Sequence, residues 1–403
     1  MNANRAHEQQ APPIVMFLAI AYQKDDRPRQ EAKSLTEEGY SVFVLCWDRE
    51  REFKPIETMD GATVLSTRLV DLRKFSSIRL ILGALLFQPL LIVKTVTLIT
   101  RLKQRPIIHA HDFNTLVPAC LLRALGLCVG LVYDSHELSY AAYSELIGPA
   151  FGRIVDIMER LCLRCVETVI TVSEPIADYL RKFNPVVELI YNCPRVSEIP
   201  KATKAEVRRD LGLPLDTYIV SYVGQIRYDC RLDLFLDVAS LLCQNDHIQF
   251  VVVGWGPLAS KFQKAARRTQ ARLTLIPYVP HTKALAYIAA SDLTWGIYQS
   301  RSLNMRLTIQ WKFFESLACR VPLIVDKGTY RAALVRKYGS GVVLESDDPH
   351  EISLLILSLA ADTRTNFTFD TKSGPPDFVW EGAGRKLTEI YKRVVHFTLE
   401  PEA

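Results

Sequence analysis

Short apolar runs rich in Val and Ile alternate with segments of helical period along nearly the whole chain, and this rhythm constrains the fold more than any other feature. Runs buried on both faces, with helices between them, require a parallel sheet wrapped by helices, so the expected class is α/β. In the first half the expected strands begin at Ile14, Tyr40, Thr63, Ile107, Gly130 and Thr168, with a short one at Val187. In the second half they begin at Tyr218, Ile248, Leu273, Leu293, Val321 and Gly341. Each half reads as a complete doubly wound, Rossmann-like domain, and two such domains facing each other form a cleft. Pro and charge break the pattern from Asn192 to Glu206. The expected parts are therefore residues 1–199, residues 200–378, and a C-terminal helix within 379–403 that packs back across the joint.

The length of 403 residues suits two domains, and a hydrophobic content of 49% excludes a disordered chain. A net charge of +5, from 49 Lys and Arg against 44 Asp and Glu, gives no case for nucleic acid. Nine scattered cysteines and the polar start MNANRAHEQQAPP favour a reducing, cytoplasmic compartment. Cys162 and Cys165 form a lone C-x-x-C inside an amphipathic helical pattern, which reads as structural in preference to metal-binding or redox-active.

One segment departs from the rhythm. Residues 78–105 carry an uninterrupted apolar stretch from Leu80 to Val93, broken only at Gln88 and Pro89. That stretch is shorter than the roughly 20 residues of a spanning helix. Basic residues surround it, at Arg68, Arg73, Lys74, Arg79, Lys94, Arg101, Lys103 and Arg105, with Asp71 as the lone acid. The segment is expected either to be buried against the first sheet or also to present an apolar and basic face to a membrane.

Candidate site residues cluster at expected strand ends. Arg27, Arg29 and Glu31 follow the first strand, at the mouth of the sheet where polar groups can reach a ligand; no glycine-rich phosphate cradle occurs there, and Arg27 is expected on the acceptor side. HAHDFNT places His111 and Asp112, and YDSHE places His136 and Glu137, just past two further strands. His111 and Asp112 suit orienting sugar hydroxyls and stabilising developing charge, while His136 and Glu137 suit an acceptor. Neither cluster has the spacing of a metal site. In the second half, Gly224 ends a strand and Arg227 and Arg231 follow; Gly254 and Gly256 open a tight turn after the next strand. Glycines allow close backbone approach, and guanidinium groups bind phosphate bidentately. NMRLTIQWKFFESLACRVPLIV then sets Lys312 and Glu315 one helical turn apart. An ammonium there suits a diphosphate, and a carboxylate suits ribose hydroxyls.

Together these residues resemble the GT-B-fold glycosyltransferases, specifically the family-4 retaining enzymes that build glycolipids and surface polysaccharides. The resemblance rests on D-x-R-x-x-x-E-A at Asp25, HAHD, YDSHE, ITVSE at Ile170, the Gly-to-Arg loop at Gly224, GWGP, and K-x-x-E before RVPLIV. It implies that Glu315 binds the donor ribose, that Lys312 with Arg227 or Arg231 binds the diphosphate, and that His111 lies near the transferred sugar. It also implies retaining transfer from a UDP- or GDP-sugar to a lipid-linked or polysaccharide acceptor, with no cofactor beyond the nucleotide sugar. No D-x-D occurs in the chain, in keeping with metal-independent transfer. Leu307 stands where many relatives carry a glutamate. Asn304, Lys312 and Glu315 match a subgroup in which Pro-Asn precedes the lysine, but Gln310 and Trp311 occupy those two positions. Gln225 and Cys230 replace the usual Arg and Lys of the glycine loop. The alternatives are a UDP-N-acetylglucosamine 2-epimerase of the same fold and a catalytically degenerate scaffold in a glycan-assembly complex. The expected location is the cytosolic membrane face, with peripheral contact.

Overall fold

In the computed structural model, residues 11–69, 77–268, 272–299, 301–362, 367–369 and 378–399 are described. The polar residues 1–10 and the charged Asp71, Arg73 and Lys74 lie outside them. The chain divides into two compact units, residues 1–190 with 384–403, and residues 191–383.

The first unit holds an eight-stranded sheet of β1 (Ile14–Leu18), β2 (Val42–Trp47), β3 (Ile56–Met59), β4 (Ala62–Thr67), β5 (Ile107–His111), β6 (Gly130–Ser135), β7 (Thr168–Thr171) and β8 (Val187–Leu189). Their order is β3-β4-β2-β1-β5-β6-β7-β8, and every pairing but one is parallel. The exception is β3, which folds back on β4 through Asp60 and Gly61, at φ 52° and 80°. Two successive positive φ angles at an Asp-Gly pair are the signature of a tight hairpin turn. Among the remaining strands, β1, β5, β6 and β7 are buried along their whole length, which explains their continuous runs, whereas β4 and β8 are partly exposed.

The second unit holds β9 (Tyr218–Val223), β10 (Ile248–Val253), β11 (Leu273–Ile276), β12 (Leu293–Trp295), β13 (Leu323–Asp326) and β14 (Gly341–Leu344), in the order β11-β10-β9-β12-β13-β14 and all parallel. Strand order reverses beside β1 in the first sheet and beside β9 in the second. Such switch points open a crevice at the carboxyl ends of the strands, where the helix amino ends also gather.

The apolar segment forms a helix, Ser77–Leu102, long and apolar enough from Leu85 to Leu102 to cross a membrane by length and composition alone. One face is core: Phe87, Leu91, Thr95 and Leu98 are buried, and Phe87 stacks on Trp47 of β2 at 5.6 Å between ring centres. Another is open, with Leu85 56%, Leu86 62% and Val93 61% exposed. The helix thus has both a buried face and an apolar one that is exposed among the described residues. The last helix, Trp380–Leu399, starts in the second unit and from Gly384 onward belongs to the first. Its Tyr391 is fully buried in the first unit.

Candidate functional site

In the first unit the site grows from the paired ends of β5 and β6, where His111 lies in register with Asp134. Asp25 caps the helix Asp26–Glu37 by accepting from the Arg27 amide, which fixes the first turn and turns Arg27 and Glu31 inward. Arg27 is only 1% exposed and grips Asp134 with two parallel hydrogen bonds, Nε to Oδ2 at 2.8 Å and Nη2 to Oδ1 at 2.9 Å. Its Nη1 donates to the Ile190 carbonyl at 2.9 Å, and Glu31 lies 3.2 Å from its Nε. Arg27 therefore does not reach out to an acceptor; it is the central cation of a buried network. Arg29 instead pairs with Asp60 at the rim.

Two carboxylates share that guanidinium and divide the protonation states. Desolvation works against the charge of Asp134, but Arg27 and His136 hold it well below the usual carboxylate range. Burial and the nearby Asp134 charge push Glu31 well above its usual range, so of the two carboxyls it is the one that takes a proton more readily. Burial lowers His109 to about 4 and leaves His111 well below its ordinary value, so both rings are neutral. They stack at 4.2 Å, and Tyr391 bonds the His109 Nδ1 at 2.9 Å. His136 behaves oppositely: against its own burial, Asp112 and Asp134 raise it to about 10, and its Nε2 lies 3.2 Å from Asp134.

His111 is also enclosed, at 2% exposed, with its Nε2 3.6 Å from Glu31. The ring expected to orient sugar hydroxyls is thus enclosed, while Asp112, His136 and Glu137 retain exposed surface. Asp112 holds φ 60° and ψ 163°, a region other side chains than glycine rarely adopt, and its backbone amide donates to the Asp134 carbonyl at 2.9 Å. Such strain persists only where neighbours fix it, and here it turns the Asp112 carboxylate toward His136, whose amide donates to it at 3.3 Å.

Glu31, His109, His111 and Asp134 offer ligand atoms within 4.8 Å of one another, a spacing compatible with a metal ion. Arg27 already lies against Asp134 and Glu31 as a fixed cation, which disfavours a second positive charge among them.

In the second unit the loops after β9 and β10 press together. A Cβ at Gly254 would fall 1.9 Å from the Gly224 carbonyl oxygen, and one at Gly256 would fall 2.3 Å from that of Ile226. Both glycines, at φ 146° and 153°, thus serve backbone packing. Gly224 is called for by its φ of 144°, and the Lys312 Nζ packs beside it, 3.5 Å from where a Cβ would stand. Lys312 is in the first turn of the helix Trp311–Ala318, with its ammonium 3.3 Å above the Tyr222 ring. Among the described residues that ammonium has no hydrogen-bond partner, although Lys312 is only 6% exposed. Burial lowers it to about 8. Both predicted arginines have partners: Arg227 pairs with Asp229 at 2.7 Å, and Arg231 with Asp347 at 3.0 Å. Lys312 is consequently a buried cation whose ammonium has no anionic hydrogen-bond partner among the described residues.

Glu315 lies one turn on. Its Oε1 meets the His281 Nε2 at 2.8 Å, while the other ring nitrogen lies 3.4 Å from Glu198. Despite the burial that opposes it, these two carboxylates raise His281 to about 10. Asn304 is buried at the start of the short helix Leu303–Leu307. The loop after it is held by Arg331, which donates to the Met305 carbonyl at 2.8 Å, to Gln310 Oε1 at 2.7 Å and to Asp326 at 3.1 Å. Gln310 thus has a defined structural partner, and Trp311 stands edge-on to His281 at 5.9 Å. Sequence reading missed His281, Glu198, Arg331 and Tyr391, whose partners are distant along the chain.

Residues 26–192 match the family described as "Glycosyl transferase 4-like domain", and residues 203–372 match "Glycosyl transferases group 1". The chain belongs to the family-4-like glycosyltransferases of the GT-B fold. Among curated relatives, the D-inositol 3-phosphate glycosyltransferase of Thermomonospora curvata is 29% identical over 202 residues, covering 46% of this chain and 45% of the relative. That of Salinispora arenicola is 25% identical over 222 residues, covering 52% and 49%. The matched segments therefore span about half the length of these relatives. Among solved structures, sucrose-phosphate synthase from Thermosynechococcus elongatus has a TM-score of 0.75 at 17% identity, covering 95% of this chain and 99% of that one. HepE of Anabaena, solved with UDP-glucose, has a TM-score of 0.67 at 14% identity, covering 94% and 99%. These likenesses establish the fold of this glycosyltransferase.

Proposed function

We propose that the chain transfers a hexose or N-acetylhexosamine, with retention and without a metal, from a UDP- or GDP-sugar to a lipid-linked or polysaccharide acceptor. The observation that carries the reading is the buried, unpartnered Lys312 ammonium beside Gly224, with the Glu315 carboxylate one turn away. A diphosphate supplies the anion that Lys312 lacks, and Glu315 accepts from ribose hydroxyls. In the transfer, the bond from the anomeric carbon to the diphosphate breaks as an acceptor hydroxyl bonds to that carbon from the same face. The hydroxyl proton passes to the departing phosphate oxygen, whose charge Lys312 stabilises. Arg227 and Arg231 join only by exchanging their carboxylate partners for phosphate. Asp112, His136 and Glu137 form the acceptor side, steadied from behind by Arg27, Asp134 and His111.

The test is a panel of UDP- and GDP-sugars, beginning with UDP-glucose, with released nucleotide measured with and without membrane lipid extract. Release that depends on acceptor supports transfer. An epimerised sugar, or silence with every donor, contradicts it.

The open face of the Ser77–Leu102 helix supports peripheral contact with the cytosolic membrane surface. Exposed Ile154, Ile157 and Leu161 on the helix Pro149–Cys162 add to the apolar surface of this unit, and Arg101, Lys103 and Arg105 supply exposed positive charge. Leu85→Ser with Val93→Ser is expected to weaken flotation with anionic vesicles about tenfold while leaving the fold intact. Unchanged flotation contradicts the contact. Leu91→Ser, which alters a residue only 1% exposed, instead lowers stability.

A further inference from the structure

Glu315 does not stand alone, and its neighbours bear on what it can recognise. His281 opens the helix His281–Ala289 just past β11, directly after Pro280. From there its imidazole bridges Glu315 Oε1, at 2.8 Å, and Glu198 Oε2, at 3.4 Å. Glu198 is itself fixed, because it closes the short 3-10 turn Val196–Glu198 and its Oε2 accepts from the Arg195 amide at 3.0 Å. The chain Arg195–Glu198–His281–Glu315 therefore ties a loop before β9 to the helix that carries Lys312.

We infer that His281, anchored by Glu198, is the positioning residue that fixes the Glu315 carboxylate and leaves it one oxygen for a ribose hydroxyl. The inference rests on the reading of Glu315 as the ribose acceptor. A carboxylate gripped at Oε1 has its side-chain torsions locked and presents Oε2 in one direction, so a hydroxyl meets an acceptor already in place. The grip also has an electrostatic result. An unpaired carboxylate one turn from Lys312 would oppose the entry of a diphosphate, and a cationic imidazole offsets that charge. His281 thus favours nucleotide binding without touching the nucleotide, by holding Glu315 still and by screening it.

The measurement is the dissociation constant of UDP and GDP and of their 2′-deoxy and 3′-deoxy counterparts, by calorimetric titration of the wild-type chain, H281A, H281Q, E198Q, E315Q and the H281A/E315Q pair. The wild type is expected to prefer one ribonucleotide over its deoxy form by about tenfold or more, because a site built to bond a hydroxyl rejects its absence. E315Q should remove most of that preference, and H281A should bring it to within about twofold of E315Q, with the double variant no worse than E315Q alone. H281Q, whose amide still donates to Glu315, should retain an intermediate preference, and E198Q should lose part of it. If H281A weakens ribo and deoxy forms equally, or leaves the preference intact while E315Q abolishes it, His281 is not the positioning residue. If E315Q leaves the preference unchanged, the assignment of Glu315 to ribose falls, and the role of His281 falls with it.

Discussion

Replacing Lys312 with methionine is expected to lower kcat/KM for the donor by about two to three orders of magnitude, because the main buried charge facing the diphosphate is lost. The same substitution should make the fold more stable. An ammonium buried without a hydrogen-bond partner costs stability, and a methionine of similar length fills the space above Tyr222 with apolar surface; the gain is about 1–3 kcal/mol. The pH dependence has a definite sign. Lys312 titrates near 8 when folded against 10.5 when exposed, so between those values the unfolded chain binds more protons and the folded state gains stability as pH rises. Donor affinity moves the other way over the same window, because only the charged ammonium pairs with diphosphate. Denaturant titrations and kcat/KM profiles of the wild type and K312M should differ by these two opposite trends. Parallel profiles would remove Lys312 from the donor site.

Arg27→Met is expected to destabilise the first unit by about 3–5 kcal/mol. The change strands the Asp134 carboxylate, fully buried and deprived of two hydrogen bonds, and leaves the Ile190 carbonyl without its donor. Glu31 is pushed well above its usual range and Asp134 well below it, so the penalty falls mainly on Asp134 and the removal of its charge is the remedy. Adding Asp134→Asn to Arg27→Met should therefore recover part of the loss. A urea midpoint for Arg27→Met equal to that of the wild type would show that the ion pair is dispensable.

Both sheets were legible from sequence because strands buried on both faces read as unbroken Val and Ile runs; each expected strand has its counterpart among β1 to β14. β3 was missed because its four residues, Ile56 to Met59, lie at an open edge and carry no apolar run. The Asp60-Gly61 pair is the local signal that could have revealed it. At the site, Lys312, Glu315 and Gly224 could be picked out because chain spacing alone brings lysine and glutamate to one face and glycine to a strand end. Which charges stay free could not be read that way. Arg27 and Arg231 looked alike as ligand-seeking arginines, yet one is sealed against Asp134 and the other pairs with Asp347, more than a hundred positions away in each case. Tyr391 reaches His109 across 282 positions, and local pattern holds no trace of such a contact. Which of the two expectations for the Ser77–Leu102 helix holds could not be decided for a related reason: an all-round apolar composition does not tell which face meets the sheet and which is exposed.

Whether Lys312 and Glu315 form a diphosphate-and-ribose site is tested most directly by calorimetric titration of the intact chain with UDP and with GDP, alongside K312M and E315Q. The expected result is one nucleotide bound per chain at neutral pH, with affinity about a hundredfold weaker in K312M and about tenfold weaker in E315Q, both variants being folded. Equal affinity in the wild type and in both variants would contradict it.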